Sequence, residues 1–248
     1  MNTFLAIEAH ADDATLGAGA MLIEAARRGH RVVIVTVASD FSTWGTTVGR
    51  EGEVRDGLVK LASAYGFERV FLDYPYHRTS AEDVALKRKL ADIHVGLNAD
   101  VALIHHHEDH WPDHAACARA SHDALLFPHG LTEDLHASPC PLIYAFDISP
   151  RQTFHFQPDV YFDVGHVLKD YMDLILSTCS CYFGRRPAEA LVGRFLFEDD
   201  RGEVGELRLC PHGLRRFADC VRFGNIAGCQ FALGLKTVWG KRRIAGLF

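Results

Sequence analysis

The sequence predicts an α/β protein: a mostly parallel sheet with helices on both faces and right-handed crossovers. Three observations carry this reading. Short apolar, β-branched runs recur along the first 150 residues. Stretches with helical spacing and good helix formers separate them. That alternation of strands with single helices is the signature of βαβ units.

The elements follow in order. Phe4-Leu5-Ala6-Ile7 is a short strand ended by the polar turn His10-Ala11-Asp12-Asp13. Residues 15–28, TLGAGAMLIEAARR, have helical spacing, and Gly29 sits where a C-terminal cap glycine belongs. Arg31 to Ala38, RVVIVTVA, is a continuous β-branched run that suits a strand covered on both faces. Helices are expected over 50–65, 81–95 and 113–127, the last after Pro112, and strands over 69–72, 101–104 and 142–146. Beyond residue 147 the pattern loosens. PDVYFDV at 158–164 reads as an edge strand and 166–182 as a helix, and 184–212, rich in charge and glycine, is expected to wrap the surface. Without repeats or a linker, the reading is one domain over 1–248, with a core over about 1–150 and a C-terminal extension over about 151–248.

Composition narrows the function classes. The chain has 248 residues, 48% of them hydrophobic and 23% charged, enough for a full core and unlike a disordered chain. A net charge of −6 argues against a broad basic surface for nucleic acid. No apolar run approaches the length of a membrane span. The start MNTFLAIEAHADD lacks the basic region of a signal peptide. Seven Cys without a CxxC pair suit free, mostly buried thiols in a reducing cytoplasm.

Histidine is the unusual residue: there are fifteen, with a cluster between His94 and His129. In sheets of this kind, ligands bind beyond the carboxyl ends of the strands. Both His10–Asp13 and His105–His114 follow strands there. A mononuclear zinc hydrolase needs three ligands of the imidazole or carboxylate type and one open position. His10, Asp13 and His114 would supply that set. Asp12 would be a carboxylate free of the metal, able to take a proton and return it to a leaving amine. Asp12 and Asp13 also suit an ordinary helix N-cap. His105, His106 and His107 follow a strand directly, so side-chain alternation turns only some of them to the pocket, and none is assigned as a ligand.

HADDATLGAGA after a strand resembles the start of the PIG-L/LmbE-like zinc-dependent N-deacetylases, whose signature is H-P-D-D-E followed by L-G-x-G. Pro112-Asp113-His114 matches the family's later P-D-H motif, and PLIYAFDI, PDVYFDV with its Asp163, and RFGNIAGCQFALGL are similar to its later segments. The resemblance implies a Rossmann-like, LmbE-like fold and a hydrolase, expected in the cytoplasm on the cysteine usage. That hydrolase would remove an N-acyl group, expected to be acetyl, from an amino-sugar conjugate or another linear amide. It implies one Zn2+ per chain on His10, Asp13 and His114, with another divalent ion a workable substitute. Asp12 would be the general base, and Asp113 would orient a histidine ligand from behind. The expected partner is a small N-acylated molecule, with no nucleic acid and no membrane span. Homo-oligomers are common and stay open.

The sequence also departs from the pattern. The family's Pro and Glu become Ala11 and Ala14, and Trp111 stands where a histidine that stabilises the oxyanion is expected. His110, one residue earlier, is the candidate to replace it. Losing such a donor costs roughly 10²–10³ in rate. The family's Lys and H-x-S-Q become Tyr171 and Thr178-Cys179-Ser180-Cys181, and its C-terminal Glu becomes Leu233. These changes keep two rivals open: a specialised biosynthetic amidase, and a metal-binding homologue with little hydrolytic activity that acts as a binding component. Arg50, Glu53 and Arg55 fall near the family's R-x-x-E pattern, where an arginine would bind a substrate hydroxyl or phosphate. A solvated helix end is the equal alternative. The loop 39–49, SDFSTWGTTVG, suits either a sugar site or plain surface. Gly17-Ala18-Gly19 lacks the third glycine of a dinucleotide loop.

Overall fold

A computed structural model describes residues 1–133, 139–149, 152–184, 193–198, 202 and 204–240. The alternation read from the sequence becomes β1 (Thr3–Glu8), α1 (Asp13–Arg27), β2 (Arg31–Thr36), α2 (Glu51–Ala64) and β3 (Phe67–Phe71). It continues with α3 (Val84–Leu97), β4 (Val101–His105), α4 (Pro112–Leu126), β5 (Leu142–Phe146), β6 (Val160–Asp163) and α5 (Leu168–Phe183). A hairpin of β7 (Gly193–Glu198) and β8 (Val204–Leu209) follows, then α6 (Pro211–Ala227) and β9 (Ala232–Trp239).

The main sheet has seven strands in the order β3-β2-β1-β4-β5-β9-β6. β3 through β5 pair in parallel, and β9 is antiparallel to both β5 and β6. The 3-2-1-4-5 order of the parallel strands is that of a Rossmann-like sheet, whose strand order reverses between β1 and β4. A crevice opens there, outside the carboxyl ends of those two strands.

Side-chain alternation sends β-strand residues to two cores. Phe4, Ala6, Val32, Ile34 and Leu103 meet α1 and α5 on one face, and Leu5, Ile7, Val33, Val35 and Ile104 meet α3 and α4 on the other. Gly29 ends α1 at φ 77°, a left-handed conformation that costs glycine nothing, and its N–H and that of His30 close on the Ala26 and Ala25 carbonyls. Gly17 serves packing and has no phosphate-binding part in view: a Cβ there would stand 2.1 Å from the Phe146 ring. Among the described residues no helix is long and apolar enough to cross a membrane. All seven cysteines are free, and Cys117, Cys179, Cys210 and Cys220 are buried.

Two sequence expectations need correction. The stretch 184–212 does more than wrap the surface, since it contains the β7–β8 hairpin, whose Leu207 and Leu209 are buried in the core (residues 185–192, 199–201 and 203 lie outside the described residues). The C-terminal part also adds α6 and an inner strand, β9, which separates the edge strand β6 from β5.

Candidate metal centre and its cavity

The loops that follow β1 and β4 meet at the crevice. His10 Nδ1 lies 3.0 Å from His114 Nε2 and 3.5 Å from Asp13 Oδ2, and His114 Nε2 lies 3.4 Å from the same oxygen. Tetrahedral coordination with bonds near 2.0–2.1 Å puts ligand atoms about 3.3 Å apart. The triangle has that size.

The outer nitrogens of both rings are tied to carboxylates. His10 Nε2 is 3.0 Å from Asp113 Oδ2, and His114 Nδ1 is 3.0 Å from Asp109 Oδ2. A carboxylate only accepts, so each outer nitrogen carries the proton and each inner nitrogen presents a lone pair. Two lone pairs and a carboxylate oxygen then face one point, an arrangement that repels itself unless a cation sits between them. The donor set therefore fits a divalent ion. Its charge balance agrees. Burial lowers the proton affinity of His114, but Asp13, Asp109 and Asp113 outweigh burial and raise it. Burial likewise raises Asp13, yet His114, His105 and His10 hold its carboxyl below the usual range.

Asp113 is itself held. Its Oδ2 accepts the His77 N–H at 2.7 Å and its Oδ1 the Thr79 N–H at 3.2 Å, so the loop after β3 fixes the carboxylate that fixes His10. Asp109 Oδ1 accepts the Trp111 N–H at 2.8 Å, which turns the chain into Pro112 and α4.

Asp12 stands at the N-cap position of α1 but caps nothing with its side chain. It lines the cavity beside the three ligand candidates. Burial pushes its carboxyl up to about 8, with Asp13 and Glu8 adding to the effect and His10 opposing it. A bound cation acts in the direction opposite to those two carboxylates.

The cavity, about 200 Å3, has aromatic walls. Trp44 stacks on Tyr76 at 5.0 Å and 20°, Tyr76 stacks in turn on His10 at 5.0 Å and 6°, and Trp111 meets Trp44 edge-on at 6.3 Å. Ser149 and Gln152 come from the loop after β5, Tyr182 and Phe183 from the end of α5, and His212 and Arg215 from the start of α6.

The structure brings His10, Asp12, Asp13, Asp113 and His114 together. It does not bring His110, whose side chain is exposed and outside the cavity lining. Asp109 turns inward to His114 and Trp111 turns into the cavity, so the residue between them faces out. Arg50 is also outside, paired with Glu53 at 2.9 Å, and Arg55 pairs with Asp73. Leu233 is buried on β9 opposite Phe162 and has no access to the cavity. Tyr171, in place of the family's Lys, donates its hydroxyl proton to the Leu16 carbonyl.

At Ala14, where a Glu was expected, the backbone N–H donates to Glu8 Oε2 at 2.9 Å. Glu8 is fully buried and also pairs with Arg69 at 3.0 Å, so a carboxylate from β1 supports the loop instead.

Sequence reasoning left His105 unassigned. It points to the site, with Nε2 3.2 Å from Asp13 Oδ2 and its ring stacked on His114 at 4.5 Å, whereas His106 points away to the Phe154 carbonyl. Strand alternation separates these two neighbours, but the sequence does not say which one faces the crevice. Trp44 was within reach, in a loop flagged as a candidate sugar site. His212 and Arg215 carried no local signal, because they reach the cavity only through the C-terminal packing.

The family model described as PIG-L, GlcNAc-PI de-N-acetylase, matches residues 5–125, which span β1 to α4 and every ligand candidate. No curated protein matches the chain in sequence. Several solved structures share the fold over nearly the whole chain. The conserved protein TT1542 from Thermus thermophilus is 19% identical, with a TM-score of 0.71, covering 96% of this chain and 95% of its own. GalB, the 4-carboxy-2-hydroxymuconate hydratase from Pseudomonas putida, is 18% identical, with a TM-score of 0.71 and coverage of 97% and 98%. The N,N'-diacetylchitobiose deacetylase from Pyrococcus horikoshii is 15% identical, with a TM-score of 0.69 and coverage of 95% and 83%. The Rossmann-like sheet, the His10/Asp13/His114 constellation and the match over residues 5–125 together make this chain similar to the PIG-L family across the half that holds every ligand candidate.

Proposed function

We propose that the chain is a metal-dependent hydrolase that removes an N-acyl group, acetyl in the first instance, from an amino-sugar conjugate or a related small linear amide. The observation that carries the reading is the triangle of His10, Asp13 and His114 acceptor atoms, 3.0–3.5 Å apart, with both rings braced by carboxylates. His10, Asp13 and His114 would hold one divalent ion, zinc by the chemistry of the set. Such an ion supplies Lewis acidity at neutral pH.

The chain's own residues do the rest. Asp12, free of hydrogen bonds to the helix end, receives the proton of the attacking water at its carboxylate and passes it to the departing amine. Asp113 and Asp109 keep the inner nitrogens of His10 and His114 unprotonated. Trp44, Tyr76 and Trp111 form an apolar wall that suits the face of a sugar ring and limits water. His110, exposed outside the cavity, has no part in this scheme.

The family match and the deacetylases among the structural neighbours support the reaction class. A hydratase shares the fold, so fold alone does not choose the reaction. A second reading, a metal-binding homologue with little turnover, is favoured by Trp111 occupying the cavity where an oxyanion donor was expected.

Purified protein loaded with one equivalent of Zn2+ tests the proposal. Acetate release from N-acetylglucosamine derivatives, abolished by Asp12→Asn with zinc content unchanged, is the expected result. Full zinc occupancy without turnover on a broad amide panel favours the second reading, and no stoichiometric metal binding overturns both.

A further inference from the structure

The first turns of α6 form one wall of the cavity and bring His212 and Arg215 to its lining. His212 lies flat on Phe183, with centroids 5.3 Å apart and planes 2° from parallel, so its ring is held in place. Burial lowers the proton affinity of His212 and the neighbouring Arg215 lowers it further, which leaves a neutral ring able to donate one N–H.

The two adjacent arginines differ. Arg216 is buried and engaged, its guanidinium donating to the Asp147 carbonyl at 2.7 Å and standing 3.2 Å from the Asp147 carboxylate. Arg215 is exposed at the cavity, and among the described residues no carboxylate pairs with it. The cavity's other charged lining residues are Asp12 and Asp13. With a dication bound and both carboxylates ionised those charges cancel, and Arg215 is the one lining charge left without a counter-charge in the cavity. A planar guanidinium suits a carboxylate or a phosphate by its paired donors.

We propose that Arg215, assisted by the His212 ring, binds an anionic group, a carboxylate or a phosphate, on the substrate. The enzyme then selects acylated amines that carry a negative charge over neutral ones. The inference rests on reading the cavity as an amide-hydrolysing site. The anion is held at the α6 wall, while the aromatic wall of Trp44 and Trp111 takes the body of the molecule and the acyl group reaches the metal centre.

The test uses the zinc-loaded full chain with three probes: neutral N-acetylglucosamine, N-acetylglucosamine 6-phosphate, and N-acetylmuramic acid as the carboxylate. Acetate release gives kcat/KM for each, and calorimetry gives binding independently of turnover. The expected result is a preference of roughly 10- to 100-fold for at least one anionic probe, the size of a charge-assisted contact. Which anion is preferred tells a carboxylate site from a phosphate site. Arg215→Ala collapses the anionic-to-neutral ratio towards one, Arg215→Lys restores part of it, and raising the salt concentration narrows it. Anion preference in binding that depends on Arg215, without any acetate release, sustains the clamp and sinks the hydrolytic reading. Acetate release with equal preference for all three probes, or a ratio unmoved by Arg215→Ala, overturns the clamp and leaves the hydrolytic reading standing. Failure of every probe to bind overturns the clamp.

Discussion

Replacing Asp113 by Asn tests whether the histidines are oriented by carboxylates for a metal. Asp113 is buried and its two oxygens serve three donors: His10 Nε2 at 3.0 Å, the His77 N–H at 2.7 Å and the Thr79 N–H at 3.2 Å. An Asn keeps the shape but has one accepting oxygen and an NH2 that only donates. If the oxygen takes the Oδ1 place and keeps the Thr79 N–H, the NH2 faces the His77 N–H and His10, whose ring must move its proton to Nδ1 and lose the lone pair aimed at the ion. If the amide flips, its oxygen keeps His10 and the His77 N–H, the Thr79 N–H is orphaned and the loop after β3 loosens. The first route costs 10- to 100-fold in metal affinity, about 1.4–2.8 kcal/mol. The second costs about 1–3 kcal/mol of stability for a buried unsatisfied group. Zinc affinity by competition with a chromophoric chelator, read beside thermal unfolding of the metal-free protein, separates the two. The expected outcome is weaker zinc binding in Asp113→Asn, with a parallel loss in Asp109→Asn through His114 Nδ1. Wild-type zinc affinity together with wild-type thermal stability in both variants would refute the argument that these carboxylates set the tautomers.

Three further outcomes are expected. Asp12→Asn keeps zinc at one per chain by elemental analysis while acetate release falls by roughly 10²–10⁴, the usual worth of general acid–base catalysis, and a variant of near wild-type rate removes Asp12 from that role. Gly17→Ala drives a Cβ to 2.1 Å from the Phe146 ring, which already packs on His105 at 4.8 Å, and so costs about 1–3 kcal/mol in denaturant unfolding; an unchanged midpoint would mean that α1 and β5 shift apart freely. At Asp159 burial raises the carboxyl, but the Thr237 N–H and hydroxyl and the Lys236 ammonium outweigh burial and depress it. A depressed carboxyl stabilises the fold above its unfolded value, about 3.9, and loses that contribution as pH falls through the folded value. The deficit of Asp159→Asn, about 1 kcal/mol at neutral pH, should therefore shrink on acidification, and a deficit that is flat with pH contradicts the assignment.

The parallel half of the fold was legible because each of its signals is local. RVVIVT is β-branched throughout and becomes a strand covered on both faces, and Gly29 stops α1 where a positive φ is needed. The ligand candidates were legible for a topological reason: in a 3-2-1-4-5 sheet the loops after β1 and β4 are neighbours whatever their separation in sequence, so His10 and His114 meet across 104 residues. What escaped the sequence depends on packing between distant elements. His110 was the natural substitute for a displaced histidine, but Asp109 is drawn inward by His114, and that leaves the next side chain in solvent and the one after it, Trp111, in the cavity. A one-residue register in a loop has no periodicity to betray it. Arg215 is a harder case still. Its sequence neighbours, Leu214 and Arg216, give an ordinary amphipathic helix start, and only the docking of α6 against α5 decides that Arg216 is spent on Asp147 while Arg215 meets the metal-site cavity. The ligand candidates of such a site can therefore be read from its motifs, whereas the residues proposed to choose its substrate come from segments whose position the fold alone determines.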